Sequence, residues 1–322
     1  MVPPLIALEE HYLSDTIPAL AERYKGFPSS IQEKLKSLGD ERIKDMDSGE
    51  LTLQVLSHAP INLSAEQCRL VNDGLAEQCR KYPKRFVGFA TLPMSEPIAA
   101  ADELERTVKE FGFVGALVNN HVEGAFFDDE KYWPVFERAV ELDVPIYIHP
   151  TFASDDMLEH YKGNYDLKTA LALSAYSWGW HTETGLHILR LFASGLFDKM
   201  PSLKIVIGHM GEMLPFAFDR ILPQSRIWGA NRQRDLKTVW HENIYITTSG
   251  YFTLAPMACL LKVSNIDRIL YSVDYPFSMN DKGLDFVKKL QESGLVDAEQ
   301  LDKICYKNAE KLLKVKVGGN QI

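Results

Sequence analysis

The sequence has no long apolar run, no block of basic residues and no paired-cysteine motif, and each absence removes a class of protein. No stretch approaches the ~18–20 consecutive apolar residues that cross a bilayer. Lys plus Arg total 35 against 44 Asp plus Glu, a formal charge of −9. Without a basic block, such a chain suits neither nucleic acid, whose affinity comes largely from neutralised phosphates, nor an anionic membrane surface. The four cysteines, Cys68, Cys79, Cys259 and Cys305, include no CxxC pair and read as reduced thiols of a cytoplasmic protein. The N-terminal MVPPLIALEEHY lacks a basic region, and its apolar run stops at Glu9 and Glu10, so it reads as a strand rather than a signal peptide. No GxGxxG loop follows that run, and no Pro/Gly/Ser-rich tract divides the 322 residues, which predicts a single domain over 1–322.

What is present is alternation. Eight short runs rich in β-branched residues recur: Leu5–His11, Leu51–Ala59, Arg85–Pro93, Phe113–Asn120, Val144–Pro150, Leu203–Met210, Ile244–Gly250 and Ile269–Pro276. Each has the continuous apolar character of a strand buried on both faces. Amphipathic stretches at helical spacing separate them, among them SAEQCRLVNDGLAEQCRKY, EPIAAADELERTVKEFG and TETGLHILRLFASGLF. Eight strand–helix units predict an α/β fold of the (β/α)8 TIM-barrel type, with a doubly wound open sheet as the alternative. The long segments Tyr12–Asp47 and Thr151–Ser202 predict helical insertions after strands 1 and 5, on the face where such barrels carry their active sites.

Polar residues gather at the C-terminal ends of these runs. Glu9 and His11 end the first, two apart and therefore on one face; His149 ends the fifth, His209 the sixth and Asp274 the eighth. Such groups are costly to bury unless paired or bound. The economical reading is one divalent metal ion held by Glu9, His11, His149 and Asp274, with zinc in first place and manganese or magnesium as alternatives. His209 is either a fifth ligand or a general acid/base beside the ion. Glu212 either hydrogen-bonds that imidazole, fixing its tautomer, or only starts the following helix, where a carboxylate suits the dipole. Arg220, about two turns further on, reaches a substrate only at a subunit interface or under a folded-over loop, and otherwise lies on the surface. His58 lines the pocket or packs in a turn. Phe27, Tyr251, Phe252, Pro276 and Phe277 offer an apolar slot for a flat ring, or simple core. Asn119, Asn120 and His121 read as loop polarity. His181 and His187, six residues apart, fall on different helix faces and are not expected to share a metal. His160 and His241 read as surface residues.

The motifs LEEHY, VPIYIHP, IGHMGE and SVDYPF, with GFVGALVNN and YWPVFERAVELDVP between them, resemble the decarboxylase branch of the amidohydrolase superfamily, the nonoxidative hydroxybenzoate decarboxylases. The resemblance spans most of the chain, though no motif identifies the substrate. It implies Glu9, His11, His149 and Asp274 as ligands of one metal ion per subunit, with no organic cofactor. It implies Asp274 as the acid that protonates the ring, and His209 with Glu212 as its catalytic partners. Arg220 matches an arginine near the substrate at or beside a dimer interface, and Phe27, Pro276 and Phe277 match pocket walls. One departure is Ser278, where many members carry Glu. The implied reaction is reversible loss of carbon dioxide from an ortho-hydroxybenzoate such as 2,3-dihydroxybenzoate or γ-resorcylate, with the metal as Lewis acid and template. The implied partners are a small aromatic carboxylate and other copies of the chain, as homodimer or homotetramer. A hydrolase of the same superfamily, opening a lactone or amide with Asp274 as general base, is the rival reading. Glu-x-His on the first strand, and no lysine ending the fourth, favour the decarboxylase.

Overall fold

The computed structural model describes residues 2–17, 22 and 24–317. Eight parallel strands run in chain order: β1 (Leu5–Tyr12), β2 (Leu51–His58), β3 (Phe86–Gly88), β4 (Ala116–Asn119), β5 (Ile146–His149), β6 (Ile205–Ile207), β7 (Ile244–Thr247) and β8 (Ile269–Leu270). The sequence β1–β2–β3 forms one hydrogen-bonded group and β4 to β8 another. Parallel bridges Ala90↔Ala116 and Glu10↔Tyr275 join the two and close the barrel, as the sequence predicts. All eight expected strands exist. Most are shorter than their apolar runs, because the last residues of each run leave the ladder to form the loops of the barrel mouth.

Alternation sorts the strand residues into two cores. Ile6, Leu8, Leu53, Val55, Phe89, Tyr147 and Val206 fill the barrel, and Leu312, Leu313 and Val315 join them from the C-terminal segment. Leu5, Ala7, Leu56, Ile146, Ile148, Ile205 and Ile207 face the surrounding helices. Helix 65–81 begins at a capping box made by Ser64 and Gln67, and helix 97–111 ends at Gly112 in the left-handed region, so local chemistry sets these boundaries. Helices 29–36 and 40–48 follow β1, and helices 155–159, 167–174, 179–194 and 196–199 follow β5, at the two expected insertions. Among the described residues no helix is long and apolar enough to cross a membrane, and all four cysteines are free.

One irregularity positions the site. The β1–β2 register shifts between Ala7 and Glu10, a bulge that breaks the parity of β1. Ile6 ahead of it points inward; within it both Leu8 and Glu9 reach the barrel interior, and Glu10 accepts from Gln54 Nε2, Ser272 Oγ and the Val273 amide. Arg42, fully buried, closes this outer layer. It donates to the His11 carbonyl at 2.7 Å and to Gln54 Oε1 at 2.8 Å, and its guanidinium lies 4.6 Å from the Tyr275 ring.

Candidate active site

The bulge on β1, the end of β5 and the loop after β8 bring Glu9, His11, His149 and Asp274 together, with one donor atom from each within 4.8 Å of all the others. His149 Nε2 stands 3.1 Å from Glu9 Oε1, and His11 Nε2 stands 3.4 Å from Asp274 Oδ1. Ligands about 2.1 Å from a single ion stand about 3–4 Å apart, so this spacing suits one divalent cation. The outward-facing atoms are already committed. His149 Nδ1 donates to the Pro150 carbonyl at 2.6 Å, and His11 Nδ1 faces Ser57 Oγ at 3.3 Å. Tyr147 donates to Glu9 Oε2 and shares a hydrogen bond of 2.8 Å with Thr247 Oγ1. The inward atoms are not committed: Glu9 Oε1 and His11 Nε2 are buried with no hydrogen-bond partner. Two converging lone pairs left without donors are what a cation ligand set looks like before its ion is counted. Asp274 alone of the four keeps appreciable exposure, 17%, and so faces the mouth.

Gly208 makes room for this cluster, since a Cβ there would stand 2.6 Å from Glu9 Oε2. The next residues depart from the sequence reading. His209 does not end a strand. It opens a turn in which His209, Met210, Gly211, Glu212 and Met213 all have φ between 50° and 92°. Four of the five carry side chains, for which left-handed backbone costs about 1–2 kcal/mol per residue. The turn places His209 and Glu212 on one side, and His209 Nδ1 bonds Glu212 Oε1 at 2.8 Å. His209 Nε2 then faces the cluster, 3.6 Å from Glu9 Oε1 and 4.0 Å from Asp274 Oδ2. Glu212 therefore orients an imidazole rather than starting a helix; that helix begins at Leu214. The second oxygen of Glu212 bonds His181 Nδ1 at 2.8 Å.

Electrostatics follows from these contacts. Burial opposes charge on Glu9, but His209 and His149 outweigh it and hold the carboxyl well below the usual range. Burial likewise opposes a charge on His209, yet Glu212, Glu9 and Asp274 raise it to about 10. A divalent cation between Glu9 and Asp274 would cancel much of that field. His58 behaves in the opposite way. Burial depresses it to about 4, so it is neutral, accepting from the Ser14 amide and donating to the Ala59 carbonyl.

The remaining expected residues divide. Phe277 lies 5.8 Å from the His11 ring, and Phe27 packs on Phe277 at 5.5 Å, making an aromatic wall. Pro276 is buried beside it. Tyr251 forms the opposite wall, edge-on to His181 and His209. Phe252 instead faces Phe286 of helix 280–292. His58 has both ring nitrogens occupied and offers a substrate only its ring. Arg220 is exposed on helix 214–228, in a groove with Leu186, Leu189 and Trp228; within one chain it is not brought to the cluster. Asn120 and His121 are buried rather than loop polarity, and Asn120 donates to Thr184.

Two participants escape the sequence reading. Tyr147 lies two residues before His149, and strand alternation alone predicts that both face inward. His181 carries no such signal, because its role depends on where helix 179–194 crosses the loop after β6.

Comparison with known proteins agrees with the motifs. The amidohydrolase family matches residues 28–315. Decarboxylase orsB of Emericella nidulans is 49% identical over 326 residues, covering 98% of each chain. A dihydroxybenzoic acid decarboxylase from Polaromonas sp. JS666, solved with bound manganese and the inhibitor 2-nitroresorcinol, is 35% identical with a TM-score of 0.87 over 97% of each chain. A 2,6-dihydroxybenzoate decarboxylase complexed with 2,6-dihydroxybenzoate is 33% identical with a TM-score of 0.87, over 98% of this chain and 100% of that one. With these matches spanning nearly its full length, the chain belongs to the amidohydrolase family, in the branch that holds the hydroxybenzoate decarboxylases.

Proposed function

We propose that the chain is a metal-dependent, nonoxidative decarboxylase of an ortho-hydroxybenzoate. One observation carries this reading: two unpartnered buried atoms, Glu9 Oε1 and His11 Nε2, converge with His149 beside a more exposed Asp274. Glu9, His11, His149 and Asp274 would hold the ion. When bound, it supplies Lewis acidity toward the carboxylate and phenolic oxygens of a substrate. Manganese is favoured over the zinc expected from sequence, because the Polaromonas relative holds manganese and half of the donors are hard carboxylate oxygens.

The protein's own groups supply the rest. Phe27 and Phe277 on one side and Tyr251 on the other receive a flat ring. Asp274, at the mouth, gives a proton to the ring carbon that bears the carboxylate. The bond to that carboxylate then breaks, its electron pair restores the aromatic ring, and carbon dioxide leaves. Asp274 regains its proton from the phenol of the next substrate as it binds, and the phenolate left on the product takes a proton from water as it departs, so one proton is taken up per turnover. His209, held by Glu212, orients the departing carboxylate or relays that proton. The steps reverse at high bicarbonate.

Incubation of the manganese-loaded protein with salicylate, 2,3- and 2,6-dihydroxybenzoate and carboxyvanillate tests the reading, with carbon dioxide release expected from at least one. Hydrolysis of a lactone or amide panel without carbon dioxide release would replace it with the hydrolase.

The remaining proposals are coarser. Four free thiols suit a cytoplasmic protein. We infer a homo-oligomer in which another copy covers the groove holding Arg220, where Leu186 and Trp228 are exposed. This is the arrangement in which Arg220 would approach a substrate. Light scattering should give a multiple of the 36.5 kDa chain mass, and Trp228→Glu should reduce it to one copy.

A further inference from the structure

We propose that His181 is a positioning residue for the reaction above: its Nδ1–H fixes the Glu212 carboxylate, and through it the tautomer and tilt of His209. The inference rests on the decarboxylase reading only for its kinetic consequence.

Glu212 is 1% exposed, so water does not solvate its charge. Each of its oxygens takes one imidazole: Oε1 bonds His209 Nδ1 and Oε2 bonds His181 Nδ1, both at 2.8 Å. The two rings stand 4.8 Å apart at 64°, so the carboxylate is gripped from two directions. These are hydrogen-bond distances, and they use both Glu212 oxygens. The trio therefore serves as a clamp and not as a second metal site. With Nδ1 of His209 held as the donor, its Nε2 is the atom left to face Glu9 and Asp274.

An independent feature of the same helix fits this role. Gly185, one turn after His181 on helix 179–194, packs against the Glu212 backbone so closely that a Cβ would meet the Glu212 carbonyl oxygen at 2.8 Å. The helix thus touches Glu212 twice, once through a side chain and once through bare backbone. Burial of a carboxylate with one oxygen unpaired is unfavourable. Without His181, Glu212 would rotate or recruit water, and His209 would lose its registry.

The test compares His181→Asn, whose amide NH2 can replace the Nδ1 donor, with His181→Leu, which removes it. In the manganese-loaded enzyme acting on its hydroxybenzoate, His181→Leu should lower kcat by about 10- to 100-fold. KM and metal per chain should stay near wild type, Tm should fall by a few degrees because a buried carboxylate oxygen loses its donor, and His181→Asn should recover most of both the rate and the Tm. Independently of activity, nitrogen NMR of histidine-labelled, metal-free protein should show a slowly exchanging His209 Nδ1–H in the wild type and in His181→Asn, and its exchange broadening or loss in His181→Leu. Wild-type kcat in His181→Leu, or an unchanged His209 signature, overturns the proposal. So does a rate loss matched by equal metal loss, since that would make His181 a support of the ion. If no hydroxybenzoate turns over at all, the decarboxylase reading fails while the NMR result still decides the clamp.

Discussion

Two clusters of ionisable side chains meet in the mouth of this barrel, and their polar atoms differ in what they lack. In Glu9, His11, His149 and Asp274, the outward atoms are bonded while Glu9 Oε1 and His11 Nε2 have no partner. In His181, His209 and Glu212, the carboxylate is saturated by two imidazoles. Both clusters are buried apart from Asp274, and both are rich in histidine and carboxylate. The difference teaches that composition alone does not mark a metal site. A cluster that leaves converging lone pairs unpaid by donors has room for a cation; one that is internally complete fixes geometry.

The comparison can be broken at four points. Asp274→Asn should have the largest effect, loss of carbon dioxide release by at least about 100- to 10,000-fold, while titration with 2-nitroresorcinol still shows binding. Wild-type turnover would remove Asp274 as the acid. Next, His11→Ala should lower bound manganese and activity together, with partial recovery in excess metal; full metal content by elemental analysis would refute the ligand assignment. Glu212→Gln should separate the clusters more sharply, cutting kcat by about 10- to 100-fold while leaving metal content intact. Joint loss of metal and rate would merge the two clusters into one.

The smallest effect concerns histidines outside both clusters. Burial without a carboxylate partner depresses His58 and His121 to about 4 and His187 to about 3, against 6.5 for the free side chain. The unfolded chain therefore takes up these protons first as the pH falls. Their contribution is complete above about pH 6.5 and declines between there and about pH 3. Tm should drop over that window, and His187→Gln should make the drop shallower; a flat Tm would show that these rings are solvated.

Much of this was legible in the residues. The eight apolar runs announce the barrel, since burial on both faces leaves a continuous signal. Glu9, His11, His149 and Asp274 stand out because strand ends of a barrel are where polar groups converge. The bulge that turns Glu9 inward was not legible: the two-apart rule correctly pairs Glu9 with His11, but it says nothing of the break with Leu8. The turn at His209 reads as strand in the sequence because left-handed backbone runs against every local preference of His, Met and Glu, and tertiary contacts must impose it. Helical spacing separates His181 from His187, but that relation lies within one helix. The partner of His181 lies across a loop 31 positions away. His187 does point elsewhere, accepting from the Phe127 amide at 3.0 Å.

The five residues wound in the minority hand after β6 have a consequence for how this enzyme can vary. Between left- and right-handed backbone, residues with side chains meet a steric barrier rather than a slope. Small drifts in the surrounding packing can widen or narrow the aromatic walls by degrees, giving a graded landscape for substrate preference. The imidazole presented by that turn has no such gradations. It is delivered whole or withdrawn whole, so the proposed catalytic centre would respond to change in an all-or-none way while the walls around it respond by degrees.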